Sequence, residues 1–217
     1  MPELWSSEAG LNHVLPISDG MLDRFGGLIP PTWPAGASQT YLPGTGPVHD
    51  ESVPLLWGGL LMTAEIESVG AETLGVVCAM GDWFGGYALF VVDGRAHFTF
   101  ARTADALALR DNTVMEAGRR TVAVSYRFGH DGGLGEMELS IDGWRADAIA
   151  VEGMLPLALQ HGGAGLRLGF DSGFPVSPLY QPPAVFSGTV HFVKIEALGG
   201  AAITSPAEEV RTALHSD

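Results

Sequence analysis

From about Leu56 onward the apolar positions recur with a period of two. Ala96, Phe98 and Phe100 alternate with Arg95, His97 and Thr99. Val122, Val124, Tyr126 and Phe128 alternate with Thr121, Ala123, Ser125 and Arg127, and Met137, Leu139 and Ile141 with Glu136, Glu138 and Ser140. Successive side chains of a strand point to opposite faces, so each segment predicts a half-buried strand with one wet face. Leu74–Met80, Tyr87–Val92 and Val185–Ile195 are more continuously apolar and predict central strands. Asp93-Gly94 and Asp142-Gly143 tolerate the positive φ of a type I′ turn. Tyr87–Val92 is therefore expected to pair antiparallel with Arg95–Ala101, and Glu136–Ile141 with Trp144–Ile149. Short strands, two tight hairpins and Gly-rich connections predict an all-β fold, a two-sheet antiparallel β-sandwich of jelly-roll or concanavalin A-like type.

The pattern divides the chain. Residues 1–50 read as an irregular, partly helical arm and connector, 51–200 as the sandwich, and 201–217 as a tail with a short helix begun by Ser205-Pro206. In the arm, Leu4–Leu15 holds a helix pattern that Pro16 stops, and the stretch from Phe25 to Pro34 reads as extended connector.

Composition narrows the function classes. With 46% hydrophobic residues among 217, the chain can bury a substantial core. A net charge of −14 opposes binding to nucleic acid or to an anionic membrane surface. No apolar run approaches the roughly 20 residues of a membrane-spanning helix. The N-terminus shows no basic and apolar regions of a signal peptide, and the expected compartment is the cytoplasm. The single cysteine, Cys78, lies among Val76, Val77, Ala79 and Met80 and reads as a buried, inert thiol.

Several groups of residues carry possible chemistry. On one strand face, Glu136 and Glu138, with Asp142 beyond them, place carboxylates roughly 6–7 Å apart at Cα. Paired carboxyl groups at about that separation serve glycoside hydrolysis, and the pattern is loosely similar to the acidic strand of sandwich-fold β-glucanases. It is equally the ordinary wet face of a strand. His161-Gly162-Gly163-Ala164-Gly165 lacks the Lys-Ser/Thr of a phosphate loop, and the seven histidines show no zinc spacing. Asp171 and Ser172, in the loop after Leu166–Phe170, offer oxygens either to calcium or to an Asx-type turn. No other cofactor is implied. Trp83, Tyr87, Trp144 and Tyr180, with Phe84 and Phe174, form a pool of aromatics for stacking on sugars or for packing. Trp83 and Trp144 lie beside turns and are expected to be exposed.

The segment Asp82-Trp83-Phe84-Gly85-Gly86-Tyr87 leading to Asp93-Gly94-Arg95 resembles a stretch of large bacterial arylsulfatases, with Trp83 where that family has arginine. Ser140–Gly143, Leu168–Ser177 with Tyr180, and Phe186–Thr189 resemble later parts of the same C-terminal region. Trp5–Ala9, Asn12–Ile17 and Tyr41–Gly44 resemble the stretch that joins it to the catalytic domain. The resemblance implies a C-terminal sulfatase-type sandwich without its catalytic part. Cys78 is followed by Ala79-Met80-Gly81, not by the Cys-x-Pro-x-Arg signature, and the calcium-binding aspartates have no counterpart.

The expected function is a non-catalytic accessory or interaction module. It would associate with itself or with a protein partner, such as a sulfatase-like one, through Leu11, Val14, Leu15 and Ile17. Two other classes stay open. One is a β-sandwich that binds carbohydrate or another small molecule. The other is a glycoside-hydrolase-like enzyme using Glu136 and Glu138.

Overall fold

The computed structural model describes residues 35–44, 46–49, 52–53, 59–101, 106–127, 134–152 and 165–198. The chain divides into two compact units, 1–30 and 31–217, and all described residues lie in the second. The expected arm helix, the interface residues Leu11, Val14, Leu15 and Ile17, the glycine-rich run from His161 to Ala164 and the C-terminal helix fall outside the described residues.

Among the described residues, eleven strands form two antiparallel sheets. They are β1 (Ser38–Tyr41), β2 (Leu60–Ser68), β3 (Gly75–Asp82), β4 (Gly85–Val92), β5 (Arg95–Ala101) and β6 (Ala106–Arg110). The others are β7 (Gly118–Arg127), β8 (Gly135–Ile141), β9 (Trp144–Val151), β10 (Arg167–Leu168) and β11 (Thr189–Ala197). One sheet runs β1-β11-β2-β7-β8-β9, the other β10-β3-β4-β5-β6. This is the expected jelly-roll, concanavalin A-like sandwich. It takes in part of what the sequence assigned to the connector: Ser38–Tyr41 pairs with Val193–Glu196, and Val48 bridges Leu166.

Both expected hairpins form. Asp93 and Gly94 have φ of 49° and 71°, Asp142 and Gly143 of 51° and 82°. Positive φ at both central residues matches the right-handed twist of the flanking strands. The alternating strands then bury one face each. Met62, Ala64 and Ile66 of β2, Val122, Val124 and Tyr126 of β7, and Met137 and Leu139 of β8 face Met80, Tyr87, Leu89, Phe98 and Phe100 of the other sheet.

Strands β3, β4 and β5 of the five-stranded sheet are buried on both sides, which explains their continuous apolar runs. On its outer face Val76, Ala79, Ala88, Phe90 and Ala101 make a second, smaller core with Val176, Tyr180 and Ala184 of the segment after β10. A bulge at Val77 relative to β4 puts Val77 and Cys78 together on the inner side. His97 is buried against Phe90, ring centroids 5.3 Å apart. Burial, with Arg110 and Arg95 nearby, holds its pKa below the ordinary value and keeps it neutral.

Four buried acids make stability sensitive to alkali. Burial pushes the Cys78 thiol from an ordinary 9.0 up to about 12, and the Tyr41 and Tyr126 phenols from 10.0 up to about 12. Burial raises Tyr180 as well, helped by its hydrogen bond to Asp171. As pH rises past 9.0, the ordinary thiol value, the unfolded chain loses protons that the native chain keeps. Native protons then outnumber unfolded ones, so stability falls with pH. The expected result is a Tm that holds from neutral pH to about 9 and drops by several degrees by about pH 11. Thermal unfolding followed by circular dichroism across that range checks it.

Candidate functional site

The β8–β9 hairpin and the loop between β6 and β7 enclose a groove of about 510 Å³. The Asp142-Gly143 turn reverses the chain and opens β9 with Trp144, which pairs with Ile141 across the hairpin. Trp144 is 82% exposed, the most exposed of the large hydrophobic side chains among the described residues. Asp142 fixes the hairpin to β7: its Oδ1 accepts the Thr121 N–H at 2.8 Å, its Oδ2 accepts from Arg120 Nη1 at 3.1 Å, and its own N–H donates to the Thr121 carbonyl.

The opposite wall is Asp111 to Glu116. It is held to the β4–β5 turn by Met115 N–H donating to the Gly94 carbonyl, and to β5 by Asp111 N–H donating to the Ala96 carbonyl, both at 2.8 Å. Arg120 ties the two walls together. Besides Asp142 it donates to Glu116 Oε2 at 3.0 Å and to the Glu116 carbonyl at 3.1 Å. Below the groove, Asp147 Oδ2 accepts the Arg110 N–H at 2.9 Å, joining the edge strands β9 and β6 of the two sheets. Val114, Met115, Ile141 and Ala146 supply the apolar lining, and Arg145 the second guanidinium.

The indole of Trp144 is thus exposed at the rim of a surface that carries carboxylates and guanidinium groups. The site offers a flat apolar face, carboxylate acceptors and guanidinium donors on rigid strands and a pinned loop. That arrangement can stack on a flat apolar face and hydrogen-bond a polar edge.

The other candidates from the sequence separate. Trp83 and Phe84 are exposed at 57% and 51% and lie 4.3 Å apart, but they form the β3–β4 turn. That turn is at the end of β4 remote from Gly94, so roughly 20 Å of strand separates it from the groove. Tyr87 is wholly buried, stacks on Phe98 and donates to Met80 Sδ, so it contacts no ligand. Asp171 and Tyr180 are buried too. Asp171 Oδ2 accepts the Tyr180 hydroxyl at 2.5 Å, and Oδ1 accepts the Ser172 N–H at 2.8 Å. Asp171 and Tyr180 thus lock the covering segment onto the outer face of the sheet, and Ser172 stands exposed beside them. Both oxygens of Asp171 are engaged from within the protein.

Glu136 and Glu138 share one strand face, as their spacing requires. Glu136 and Glu138 lie on the outer face of the six-stranded sheet and both bind Arg145, at 3.0 and 3.5 Å. Asp142 is in the turn and faces Arg120 and Thr121 instead. The sequence flagged Trp144 but missed Asp111, Glu116, Arg120 and Arg145. The Asp111-Asn112 turn signal next to the strand Ala106–Arg110 was the one local cue to that wall.

No family model matches the chain, and no curated protein matches it. Its fold is similar to solved carbohydrate-binding, laminin and toxin domains. With the carbohydrate-binding module CBM40 of the Ruminococcus gnavus IT-sialidase it shares 13% identity over 73% of this chain and 84% of that one, TM-score 0.46. With domains LG4-5 of the mouse laminin alpha1 chain it shares 17% over 76% and 40%, TM-score 0.44. With the binding domain of botulinum neurotoxin serotype D/C it shares 10% over 75% and 37%, TM-score 0.43. None of these is a sulfatase domain, and the arylsulfatase resemblance is withdrawn. Two of the motifs that carried it, Asp82–Arg95 and Ser140–Gly143, are hairpin segments. A Cβ at Gly81 would lie 2.1 Å from the Gly85 carbonyl oxygen, and one at Gly86 2.1 Å from that of Met80. Gly143 answers to φ alone, whereas a Cβ at Gly94 would also lie 2.8 Å from the Gly70 carbonyl oxygen.

Proposed function

We propose that this chain is a non-catalytic binding module that holds a saccharide or similar small polar ligand in the groove beside Trp144. The observation that supports this reading is the 82% exposed indole fixed at the rim of a concave, carboxylate- and guanidinium-lined surface. A pyranose ring carries an apolar C–H face that packs on an aromatic ring, and hydroxyls at its edge that donate to carboxylates and accept from guanidinium. Asp142, Arg120 and Asp147 are used in fixing the walls, so the site is organised before a ligand arrives, which lowers the ordering cost of binding.

The experiment is a glycan array probed with the purified chain, followed by calorimetric titration of a retained glycan against Trp144→Ala and Trp83→Ala. Trp144→Ala is expected to weaken binding at least tenfold, about 1.4 kcal/mol, while leaving Tm unchanged because the side chain is solvent-exposed. Trp83→Ala is expected to bind as the parent does. An array that retains no glycan, or a Trp144→Ala variant of undiminished affinity, refutes the reading.

A further inference from the structure

We infer that the groove selects uncharged, hydroxyl-rich saccharides and rejects anionic ones such as sialylated, uronate or sulfated chains. This rests on the binding reading above and gives it a ligand class.

The argument is a count of partners. Both guanidinium groups at the groove are already neutralised by the protein. Arg120 sits between Glu116 and Asp142, and Arg145 binds Glu136 and Glu138. An anionic ligand therefore meets no unpaired arginine among the residues that line the groove, and Arg95 behind the wall donates to the Asn112 and Asp93 carbonyls. Such a ligand does meet Asp111. This side chain lines the groove, is only 6% exposed, and uses one carboxylate oxygen to accept the Thr113 N–H at 2.7 Å. Among the described residues no cation forms an ion pair with it.

A buried carboxylate with spare acceptor capacity is stabilised by donors and destabilised by a second negative charge. Sugar hydroxyls are such donors, and Trp144 at the opposite wall receives the ring that presents them. The net charge of −14 adds a long-range field of the same sign. Charge and hydrogen bonding thus favour the same ligand class.

The test uses one array carrying neutral glucans, galactans, mannans and xylans beside sialylated, uronate-containing and sulfated glycans. The expected result is retention of neutral glycans, with anionic counterparts at least tenfold weaker. Asp111→Asn is expected to weaken the neutral glycan about fivefold or more and to narrow the discrimination, because it replaces an acceptor by a donor. Should that variant fail to fold, salt decides. Neutral-glycan affinity stays within about twofold between about 50 mM and about 500 mM NaCl if no ligand charge is involved. Retention of anionic glycans in a manner that Trp144→Ala abolishes, or a strong salt dependence, overturns the selectivity and leaves the binding reading standing. Retention of nothing, or retention indifferent to Trp144→Ala, overturns both.

Discussion

Replacing Gly86 by alanine is expected to cost on the order of 4 kcal/mol or to prevent folding altogether, within a total stability of about 5–15 kcal/mol. Gly86 opens β4 opposite Gly81 of β3, with φ at +128°. A Cβ there would lie 2.1 Å from the Met80 carbonyl oxygen and 2.7 Å from the Gly81 Cα. Both are backbone atoms of a paired strand, so no side chain can swing aside. Relief requires the hairpin to separate, and β3 and β4 are central strands, buried on both faces. Gly143→Ala isolates the conformational part. Gly143 has φ of +82° and nothing within 4 Å of where a Cβ would stand, so only the backbone preference is lost, roughly 1–2 kcal/mol. Urea unfolding of both variants checks the contrast. A Gly86→Ala protein within about 1 kcal/mol of the parent would show that β3 and β4 do not pair in this register.

The same glycines explain what the sequence could and could not disclose. Asp93-Gly94 and Asp142-Gly143 declare their turns because few other pairs accept two positive φ values, and the strands beside them keep a clean period. Strand β6 hides, since Ala106-Leu107-Ala108-Leu109-Arg110 consists of good helix formers. Pairing of Leu107 with Phe100 and Leu109 with Phe98 overrides that preference. Tertiary placement governed the site residues too. An Asp and a Tyr in a Gly/Pro-rich loop look alike whether they turn outward to a ligand or inward to a core, and Asp171 and Tyr180 turn inward. Arg120 and Asp142 are brought together only by the register that sets Val122 beside Ile141, and no local pattern encodes it. Short motifs that a hairpin requires on steric grounds recur wherever the hairpin does, which is why the sulfatase-like hairpin segments misled.

Tyr180→Phe is expected to destabilise the protein by about 2–4 kcal/mol, the second large effect. The phenol serves two buried groups at once. It donates to Asp171 Oδ2 at 2.5 Å and accepts the Val176 N–H at 3.1 Å, while its ring packs on Phe90 with centroids 5.0 Å apart. Phenylalanine keeps the ring contact and removes only the hydroxyl. That leaves a wholly buried carboxylate short of a charge-assisted donor and a backbone N–H without its acceptor. The Arg167 guanidinium, 3.9 Å from Asp171 Oδ1, is too distant to replace it. Asp171→Asn removes the charge but retains an acceptor and should cost less. Combined with Tyr180→Phe it should cost less than the sum, a coupling of about 1 kcal/mol or more that marks the two as one unit. The measurement is a double-mutant cycle by urea unfolding, repeated with calcium and with a chelator. Costs that add, together with a parent protein stabilised by calcium, would make Asp171 a metal ligand after all. Coupled costs that calcium does not alter fix it as the latch that closes the covering segment over the outer face of the five-stranded sheet.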